Sequence, residues 1–480
     1  MRNLVTALVL LGLLRANLDC NAAESKRNVL FIVSDDLNCD LGCYGHDLVK
    51  SPNIDRLANR GVLFENAYCQ YPVCNPSRSS FLTGCYPDQT WVLSNGGNLR
   101  NALPDVVTMP QLFQKHGYFV ARVGKIFHYS VPLAIGTSSA DDPASWQLVV
   151  NPRGIDREIH DRIHTLQPGQ FGGTLSWYNI KSRDEEHTDG IGATEAIRLL
   201  EKHHPEKTGK PFFLAVGFYR PHTPYVAPSH WFEKYSRDRI QPVLEKNGDR
   251  DDIPLAALAD RPGQRELTIE KRKEIIQAYY ASVSLMDAQV GRLLNTLDRL
   301  RLTENTLVVF ISDHGYHLGH HGLWQKGDLF EGSTRVPMIV SSPGMKNAGR
   351  KTKGITELVD LYPTIAELCD LAPPDHLRGH SVVPALKDTS HSGKAGAMTV
   401  AWSRGGRMHK EIRGKKIKGY TVRTPRYRYT EWGRGEFGTE LYDYQADPEE
   451  FTNLAESKKH SQIVARLKNL LKESVQRAQP

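Results

Sequence analysis

Short apolar runs alternate with longer stretches of helical periodicity along this chain. Four of these runs predict buried strands, at 29–33, 119–123, 212–218 and 307–311. Continuous apolar runs of this length are typical of a parallel sheet that is covered on both faces. The clearest helical stretch is 271–300, where apolar residues recur at helical spacing. The alternation predicts an α/β fold with a large, mostly parallel sheet flanked by helices.

The pattern changes after residues 388–397, which are mostly small or polar. Residues 419–423 and 427–432 are strand-like and are separated by a short turn that contains proline, which predicts a β-hairpin. We therefore expect a large domain over 24–387 and a small C-terminal α+β subdomain with an antiparallel sheet over 398–480.

The first 23 residues have the organisation of a signal peptide. Arg2 precedes an apolar run at 4–14, and small residues follow at 21–23. This run is shorter than the roughly 20 apolar residues that cross a bilayer, and no other stretch reaches that length. We therefore expect an exported protein, periplasmic or secreted, with no membrane span. The chain has no Asn-x-Ser/Thr acceptor sequence, which suits a bacterial source.

Metal-binding side chains come directly after two of the predicted strands. Asp35 and Asp36 follow the first strand, and Asp313 and His314 follow the last. Either pair alone would be typical of a solvated turn, but ligands bind where the carboxyl ends of parallel strands meet. Carboxylate oxygens suit Ca²⁺ or Mg²⁺, whereas the histidine keeps Zn²⁺ or Mn²⁺ open. Because clustered carboxylates repel one another, the pattern predicts a divalent-cation site.

Basic side chains follow the other two strands. Lys125 and His128 come after the run at 119–123, and His222 comes after the run at 212–218. Each would be an ordinary loop residue by itself. Their expected arrival at the same sheet edge as the carboxylates indicates a functional site.

One segment identifies the chemistry. Residues 71–84 read Tyr-Pro-Val-Cys-Asn-Pro-Ser-Arg-Ser-Ser-Phe-Leu-Thr-Gly. Cys74, followed by Pro, Ser, Arg78 and Leu-Thr-Gly, resembles the signature of the type I, formylglycine-dependent sulfatases. The resemblance covers nearly the whole mature chain and implies an alkaline-phosphatase-like fold. Pro76 and Ser77 also predict a helix start, which would place residue 74 near the positive end of a helix dipole.

The resemblance implies a modified residue and a cation. A formylglycine-generating enzyme, or an anaerobic sulfatase-maturating enzyme, would oxidise Cys74 to formylglycine. Asp35, Asp36, Asp313 and His314 match the positions of the family's cation ligands, which the modified Cys74 completes. The expected ion is Ca²⁺, with Mg²⁺ as an alternative.

The resemblance also implies roles for the basic residues. Arg78 would hold the formylglycine hydrate, while Lys125 and Lys326 would neutralise charge on the sulfate oxygens. His222 is the first candidate for the acid that protonates the leaving group, and His128 is the candidate for the base that releases sulfate.

Two departures from the commonest sulfatase pattern resemble the iduronate-2-sulfatase-like members. The sequence has Gly-Lys-Ile-Phe-His at 124–128 and Asp-His, instead of Asp-Asn, at 313–314. This resemblance implies a sulfated saccharide substrate, either 2-O-sulfated uronate or another sulfated polysaccharide fragment. A phosphonate or phosphate monoester hydrolase of the same superfamily is the alternative, because phosphonate monoester hydrolases can also carry formylglycine.

The basic stretch near the C-terminus and the cysteines each allow more than one interpretation. Residues 404–434 carry eleven Lys and Arg against two Glu, which predicts either a solvated basic face or a surface that holds a polyanion. Export argues against nucleic acid as that polyanion. The six cysteines of the mature chain could pair as disulfides outside the cytosol.

Overall fold

The structure, a computed structural model, describes residues 26–480, so the predicted signal peptide lies outside the described residues. Within that range, eighteen strands form four sheets. In chain order the strands are β1 Asn28–Asp35, β2 Val62–Tyr68, β3 Phe119–Gly124, β4 Leu148–Val150, β5 His164–Thr165, β6 Ser176–Ile180, β7 Phe212–Pro221, β8 Tyr225–Pro228, β9 Thr306–Ser312, β10 His317–Leu318, β11 Trp324–Gln325, β12 Arg335–Ser341, β13 Arg350–Thr352, β14 Thr356–Glu357, β15 Ala397–Trp402, β16 Lys418–Arg423, β17 Tyr427–Trp432 and β18 Thr439–Asp443.

Fourteen α-helices lie within the described residues. They are α1 Pro52–Arg60, α2 Cys74–Thr83, α3 Pro87–Thr90, α4 Leu99–Ala102, α5 Met109–Lys115, α6 Ile155–Glu158, α7 Thr188–Lys202, α8 Pro205–Thr208, α9 Ser229–Phe232, α10 Ile269–Arg299, α11 Glu331–Thr334, α12 Leu361–Leu368, α13 Val383–Lys387 and α14 Ser461–Arg477. The long predicted helix is α10, which Thr268 caps by accepting a hydrogen bond from the Lys271 amide at 3.2 Å.

The large sheet confirms the predicted fold class. Its strands lie in the order β13-β2-β12-β9-β1-β7-β3-β4, with β14 also beside β2. The run from β9 to β4 is parallel, whereas β12 is antiparallel to both of its neighbours. The sheet is therefore mixed but mostly parallel. All four strands predicted from the apolar runs lie in this parallel part.

Strand β1 lies inside the sheet between β9 and β7, and all eight of its residues are buried. Its side chains alternate between the two faces, as they must in an extended strand. Leu30 and Ile32 belong to the core that contains α10, and Phe31 belongs to the opposite core with Phe81 of α2 and Ile365 of α12. Helices on both faces explain why this strand is apolar at consecutive positions.

The C-terminal part contains the predicted antiparallel sheet, in the order β15-β16-β17-β18. The predicted hairpin is β16–β17, and α14 packs on the sheet through Leu467 and Leu471. The first strand of this sheet begins at Ala397, next to the predicted boundary. The division into 24–387 and 398–480 stays a prediction.

Two further features are the state of the cysteines and the length and apolarity of the helices. All six cysteines among residues 26–480 are free thiols: Cys39, Cys43, Cys69, Cys74, Cys85 and Cys369. No helix in the described part of the chain combines the length and apolarity needed to cross a membrane.

The burial of β1 generates a stability prediction. Ile32→Ala should lower the free energy of unfolding by about 2–5 kcal/mol, because it removes a fully buried side chain and leaves a cavity. The measurement is the urea midpoint. Ile269→Ala is the matched control, since Ile269 is 43% exposed at the start of α10, and it should change the midpoint little. Equal effects of the two substitutions would contradict this account of the core.

Candidate active site

Four neighbouring strands deliver polar side chains to one edge of the large sheet. Asp35 ends β1, Asp313 follows β9, Lys125 follows β3 and His222 follows β7. The strands lie in the order β9-β1-β7-β3, so their carboxyl ends are adjacent. This is the edge at which parallel α/β sheets bind ligands.

Close backbone contact between β7 and the end of β3 positions Lys125. The amide of Lys125 donates to the Gly217 carbonyl of β7 at 2.9 Å. A Cβ atom on Gly217 would lie 2.0 Å from the Lys125 carbonyl oxygen, so a side chain there would push the two strands apart. Glycine at position 217 is therefore required for Lys125 to enter the site.

Helix α2 begins at Cys74, two residues before the start that Pro76 and Ser77 predict. Val73 before it is extended, Gly84 after it has φ 69°, and all ten residues of the helix are buried. The free amides at a helix start, together with the helix dipole, favour an anion there. The Cys74 side chain therefore lies at the positive end of a rigid, enclosed helix.

The candidate metal ligands converge around Cys74. Its Sγ lies 3.4 Å from Asp35 Oδ1 and 3.4 Å from His314 Nε2. His314 Nε2 lies 3.3 Å from Asp36 Oδ1 and 3.5 Å from Asp313 Oδ2. Ligand atoms of Asp35, Cys74, Asp313 and His314 all lie within 4.8 Å of one another. The structure thus brings together all five residues that the sequence predicts as ligands.

Backbone conformation explains how two successive aspartates face one site. Successive side chains of a strand point in opposite directions. Asp36 has φ 65°, a left-handed conformation that Asp tolerates better than most residues. This turn at the end of β1 directs the Asp36 carboxylate back to the side that Asp35 occupies.

The donor set fits a divalent cation. Three buried carboxylates and the His314 imidazole lie around the Cys74 side chain, and oxygen donors of this kind suit Ca²⁺ or Mg²⁺. Among the described residues, Asp36 Oδ2 is a buried atom without a hydrogen-bond partner. A buried carboxylate oxygen is unfavourable unless something compensates it, and a cation would do so.

Three basic side chains neutralise the carboxylates. Arg78 Nε donates to Asp313 Oδ2 at 2.8 Å, and its Nη2 lies 3.3 Å from Asp35 Oδ1. Lys125 Nζ lies 2.5 Å from Asp35 Oδ2. Lys326 pairs with Asp36, and its Nζ lies 3.5 Å from Cys74 Sγ. The carbonyls of Lys125 and Ile126 also accept from Arg78 Nη1, at 2.5 and 2.9 Å, which fixes the guanidinium.

The basic groups change the acidity of their neighbours. Burial opposes ionisation of Cys74, but Lys125, Lys326 and His314 together hold the pKa of its thiol well below the usual value. Burial also opposes ionisation of Asp35, and the surrounding positive charges still lower its pKa. Burial dominates at Asp313 and raises its pKa to about 6 against the effect of Arg78. The site is therefore organised to hold negative charge at residue 74.

The two candidate proton-transfer histidines lie at the opening of the site. Cys74 and the ligand carboxylates have no exposed surface, whereas His128, His222 and Lys326 are each 7% exposed. His222 Nε2 lies 3.8 Å from Asp36 Oδ2. Burial lowers the pKa of His128, which keeps its imidazole neutral and able to accept a proton. A substrate reaching residue 74 would pass these side chains.

Sequence reasoning missed several residues around the site. Tyr279 donates its hydroxyl to the Asp36 carbonyl at 2.9 Å, although its position in α10 indicated only a core residue. Ser77 donates to the Asp313 carbonyl, and it lies inside the motif. Arg261 contacts the carbonyl of Lys326 at 3.2 Å from a loop that carries no recognisable signal.

The buried carboxylate cluster at the strand ends thus lies beside Cys74 at the start of α2, on a mostly parallel sheet. The chain belongs to the sulfatase family, because the family model described as Sulfatase matches residues 27–371. A second family model, described as N-sulphoglucosamine sulphohydrolase, C-terminal, matches residues 319–477. The protein is therefore a sulfuric ester hydrolase.

Two curated sulfatases are similar in sequence to this chain along nearly its whole length. Iduronate 2-sulfatase of Mus musculus is 32% identical over 525 residues, covering 93% of this chain and 94% of the relative. A sulfatase of Formosa agariphila is 31% identical over 479 residues, covering 95% and 89%.

Solved structures share the fold. Phosphonate monoester hydrolase of Agrobacterium radiobacter has a TM-score of 0.75 at 23% identity, covering 94% of this chain and 96% of that one. A protein solved with its substrate D-glucosamine-2-N,6-O-disulfate has a TM-score of 0.74 at 21% identity, covering 94% and 98%. A 2-O GAG sulfatase has a TM-score of 0.71 at 24% identity, covering 94% and 92%.

The ligand cluster generates a prediction on cation binding. Adding Ca²⁺ to protein treated with a chelator should raise the free energy of unfolding, by about 2.7 kcal/mol when Ca²⁺ is at a hundred times its Kd. Asp36→Asn should remove most of this gain, because it takes away a ligand charge. The measurement is the denaturation midpoint with and without Ca²⁺, and Glu206→Gln, on a 90% exposed side chain, is the control. A full Ca²⁺ effect in Asp36→Asn would refute this site.

Proposed function

We propose that this sulfatase removes sulfate from sulfated carbohydrate, with 2-O-sulfated uronate, or another fragment of a sulfated polysaccharide, as the substrate. The observation that carries the proposal is the position of Cys74 at the start of α2, where Lys125 and Lys326 lie 4.0 and 3.5 Å from its Sγ. The similarity to iduronate 2-sulfatase over 93% of the chain supports the class of saccharide.

The proposal includes modification of Cys74. A formylglycine-generating or anaerobic sulfatase-maturating enzyme would oxidise Cys74 to formylglycine, an aldehyde. One hydroxyl of the hydrated aldehyde would attack sulfur and displace the sugar oxygen. The second hydroxyl would then lose its proton, so that the aldehyde re-forms and sulfate leaves with the first oxygen. Among the described residues, Cys74 is the one cysteine whose sulfur lies within 4.0 Å of two lysine ammonium groups and of a carboxylate of the cluster.

The proposed cation is Ca²⁺, with Mg²⁺ as the alternative. Asp35, Asp36, Asp313 and His314 would hold it, together with the modified side chain of residue 74. When bound, it would stabilise negative charge on the nucleophile and on a sulfate oxygen.

The protein's own side chains would bind the sulfate and move protons. The ammonium groups of Lys125 and Lys326 both lie within 4.0 Å of Cys74 Sγ and would bind the sulfate oxygens. Arg78 is held by Asp313 and two carbonyls, so it would orient the nucleophile without moving. His222 at the opening would protonate the leaving sugar oxygen, and His128 would take a proton from residue 74 as sulfate is released.

Substitution of Cys74 tests the nucleophile. Cys74→Ala should abolish sulfate ester turnover while the urea midpoint stays close to that of the wild type. Cys74→Ser should stall after one turnover, because its single hydroxyl can form a sulfate ester but cannot collapse to an aldehyde. Intact mass would then show a sulfated protein. Turnover by Cys74→Ala, or an unoxidised thiol at residue 74 in fully active enzyme, would contradict the proposal. Cys85→Ala, at a buried thiol outside the site, is the control.

A matched substrate panel tests the reaction class and the sugar. The matured protein should hydrolyse sulfate monoesters far faster than phosphonate monoesters with the same leaving group. Among saccharides, 2-O-sulfated uronates should exceed galactose and fucose sulfates in kcat/KM. Faster hydrolysis of phosphonates would favour the phosphonate monoester hydrolase reading instead.

A further inference from the structure

A cleft of about 500 Å³ opens beside the start of α2. Tyr71 and Val73 line one side of it, and Val73 is the residue directly before Cys74. The other side comes from the C-terminal subdomain and carries Arg404, Arg407 and Lys415. The cleft therefore joins a basic surface to the immediate neighbourhood of residue 74.

Two arginines meet behind the Lys326 side chain. Arg261 Nη2 and Arg404 Nη1 both donate to the Lys326 carbonyl, at 3.2 and 3.4 Å. Arg261 Nη1 also donates to the Gly173 carbonyl at 2.6 Å, and Thr223 donates to the neighbouring Gly172 carbonyl. Arg261 thus bridges the loop that supports His222 and the loop that carries Lys326.

The absence of a side chain at Gly327 leaves space for the guanidinium of Arg404. Gly327 has φ 111°, and a Cβ atom there would lie 2.6 Å from the guanidinium carbon of Arg404. Any side chain at position 327 would both strain the backbone and displace the arginine. The glycine next to Lys326 therefore allows the guanidinium to pack against the active-site loop.

Among the described residues, Arg261, Arg404 and Arg407 have no acidic partner. Within residues 26–480, no carboxylate oxygen lies within 4.0 Å of a side-chain nitrogen of Arg261, Arg404 or Arg407. Burial, together with repulsion from Arg404 and Arg407, lowers the pKa of Arg261 to about 9. Arg261 Nε is buried without a hydrogen-bond partner among the described residues. Buried, unpaired positive charge is costly, and an anionic ligand would offset that cost.

Four other basic residues of the 404–434 stretch form ion pairs with carboxylates. Arg423 and Arg428 bind Glu331, Arg426 binds Asp443 at 2.7 Å, and Lys418 binds Asp88. These four residues serve the fold, so the stretch is neither a uniformly solvated face nor a continuous polyanion track. Arg404 and Arg407 are the arginines of this stretch that line the cleft.

We propose that Arg404 and Arg407 bind a second oxyanion of the substrate while the scissile sulfate lies at residue 74. This inference rests on the proposed function, and it selects substrates with two anionic groups. The second group is a uronate carboxylate or another sulfate, since a guanidinium pairs with the oxygens of either. Arg404 and Arg407 line the cleft and are more exposed than Arg261, so they would contact the oxyanion. Arg261 would add positive charge from its position at the Lys326 carbonyl, to which Arg404 also donates.

The test compares substrates with one and two anionic groups. Arg404→Gln and Arg407→Gln should each lower kcat/KM for a 2-O-sulfated uronate disaccharide by about 10- to 100-fold, the loss expected for a hydrogen bond between charged groups. The loss should be at least tenfold smaller for the methyl ester of the same disaccharide. Arg413→Gln, at an exposed arginine of the same stretch that does not line the cleft, should leave both values unchanged.

A second pair of substrates separates the two sources of the oxyanion. If the cleft binds a sulfate, the selective loss should appear with glucosamine-2-N,6-O-disulfate relative to glucosamine 6-O-sulfate, and not with the uronate pair. An equal loss on every substrate, or no loss on any, would overturn the proposal. A general electrostatic effect would appear in Arg413→Gln as well, and would also overturn it.

Calorimetry distinguishes failure of this inference from failure of the proposed function. In a Cys74→Ala background, the disaccharide should bind more weakly when Arg404 or Arg407 is replaced by Gln, and its methyl ester should not. If the matured wild type hydrolyses no sulfated saccharide, the proposed substrate class fails. The binding measurements then test separately whether Arg404 and Arg407 bind the second oxyanion. Equal binding of the disaccharide to all variants would refute the arginine site.

Discussion

The structure depends on charge balance at the end of β1. Three carboxylates are fully buried there, and an isolated buried carboxylate is strongly disfavoured. Arg78, Lys125 and Lys326 come from α2, from the end of β3 and from the loop after β11, and each bonds to one or two of these carboxylates. Distant parts of the chain are therefore held together by the same ion pairs that organise the site. Asp36 Oδ2 has no hydrogen-bond partner among residues 26–480, and a cation would compensate its charge.

The C-terminal subdomain contributes to this arrangement from outside. Glu331 follows the Lys326 loop at the start of α11, and Arg423 and Arg428 of the antiparallel sheet bind its carboxylate. Although burial opposes its ionisation, these arginines lower the pKa of Glu331. The same subdomain supplies Arg404, which packs on Gly327. The antiparallel sheet thus supports the loop that holds Lys326 and forms one side of the cleft leading to it.

Much of the fold and the site could be predicted because both depend on short, local patterns. Continuous apolar runs identified the parallel strands, and side chains directly after those runs had to meet at one edge. Tyr279 and Arg261 could not be predicted in this way. Tyr279 lies at a helical spacing shared with core residues, and Arg261 lies in a loop whose path only the folded chain defines.

The sequence by itself determined the α/β class, the sulfatase motif around Cys74 and the set of residues that converge on it. Tertiary structure alone decided which basic residues are free to meet a substrate, because ion pairing depends on distances between segments far apart in the chain. Arg404 and Arg428 look alike along the sequence, yet Arg428 binds Glu331 inside the fold and Arg404 faces the cleft without an acidic partner among the described residues. A buried charge takes its role from the charge that the fold places beside it.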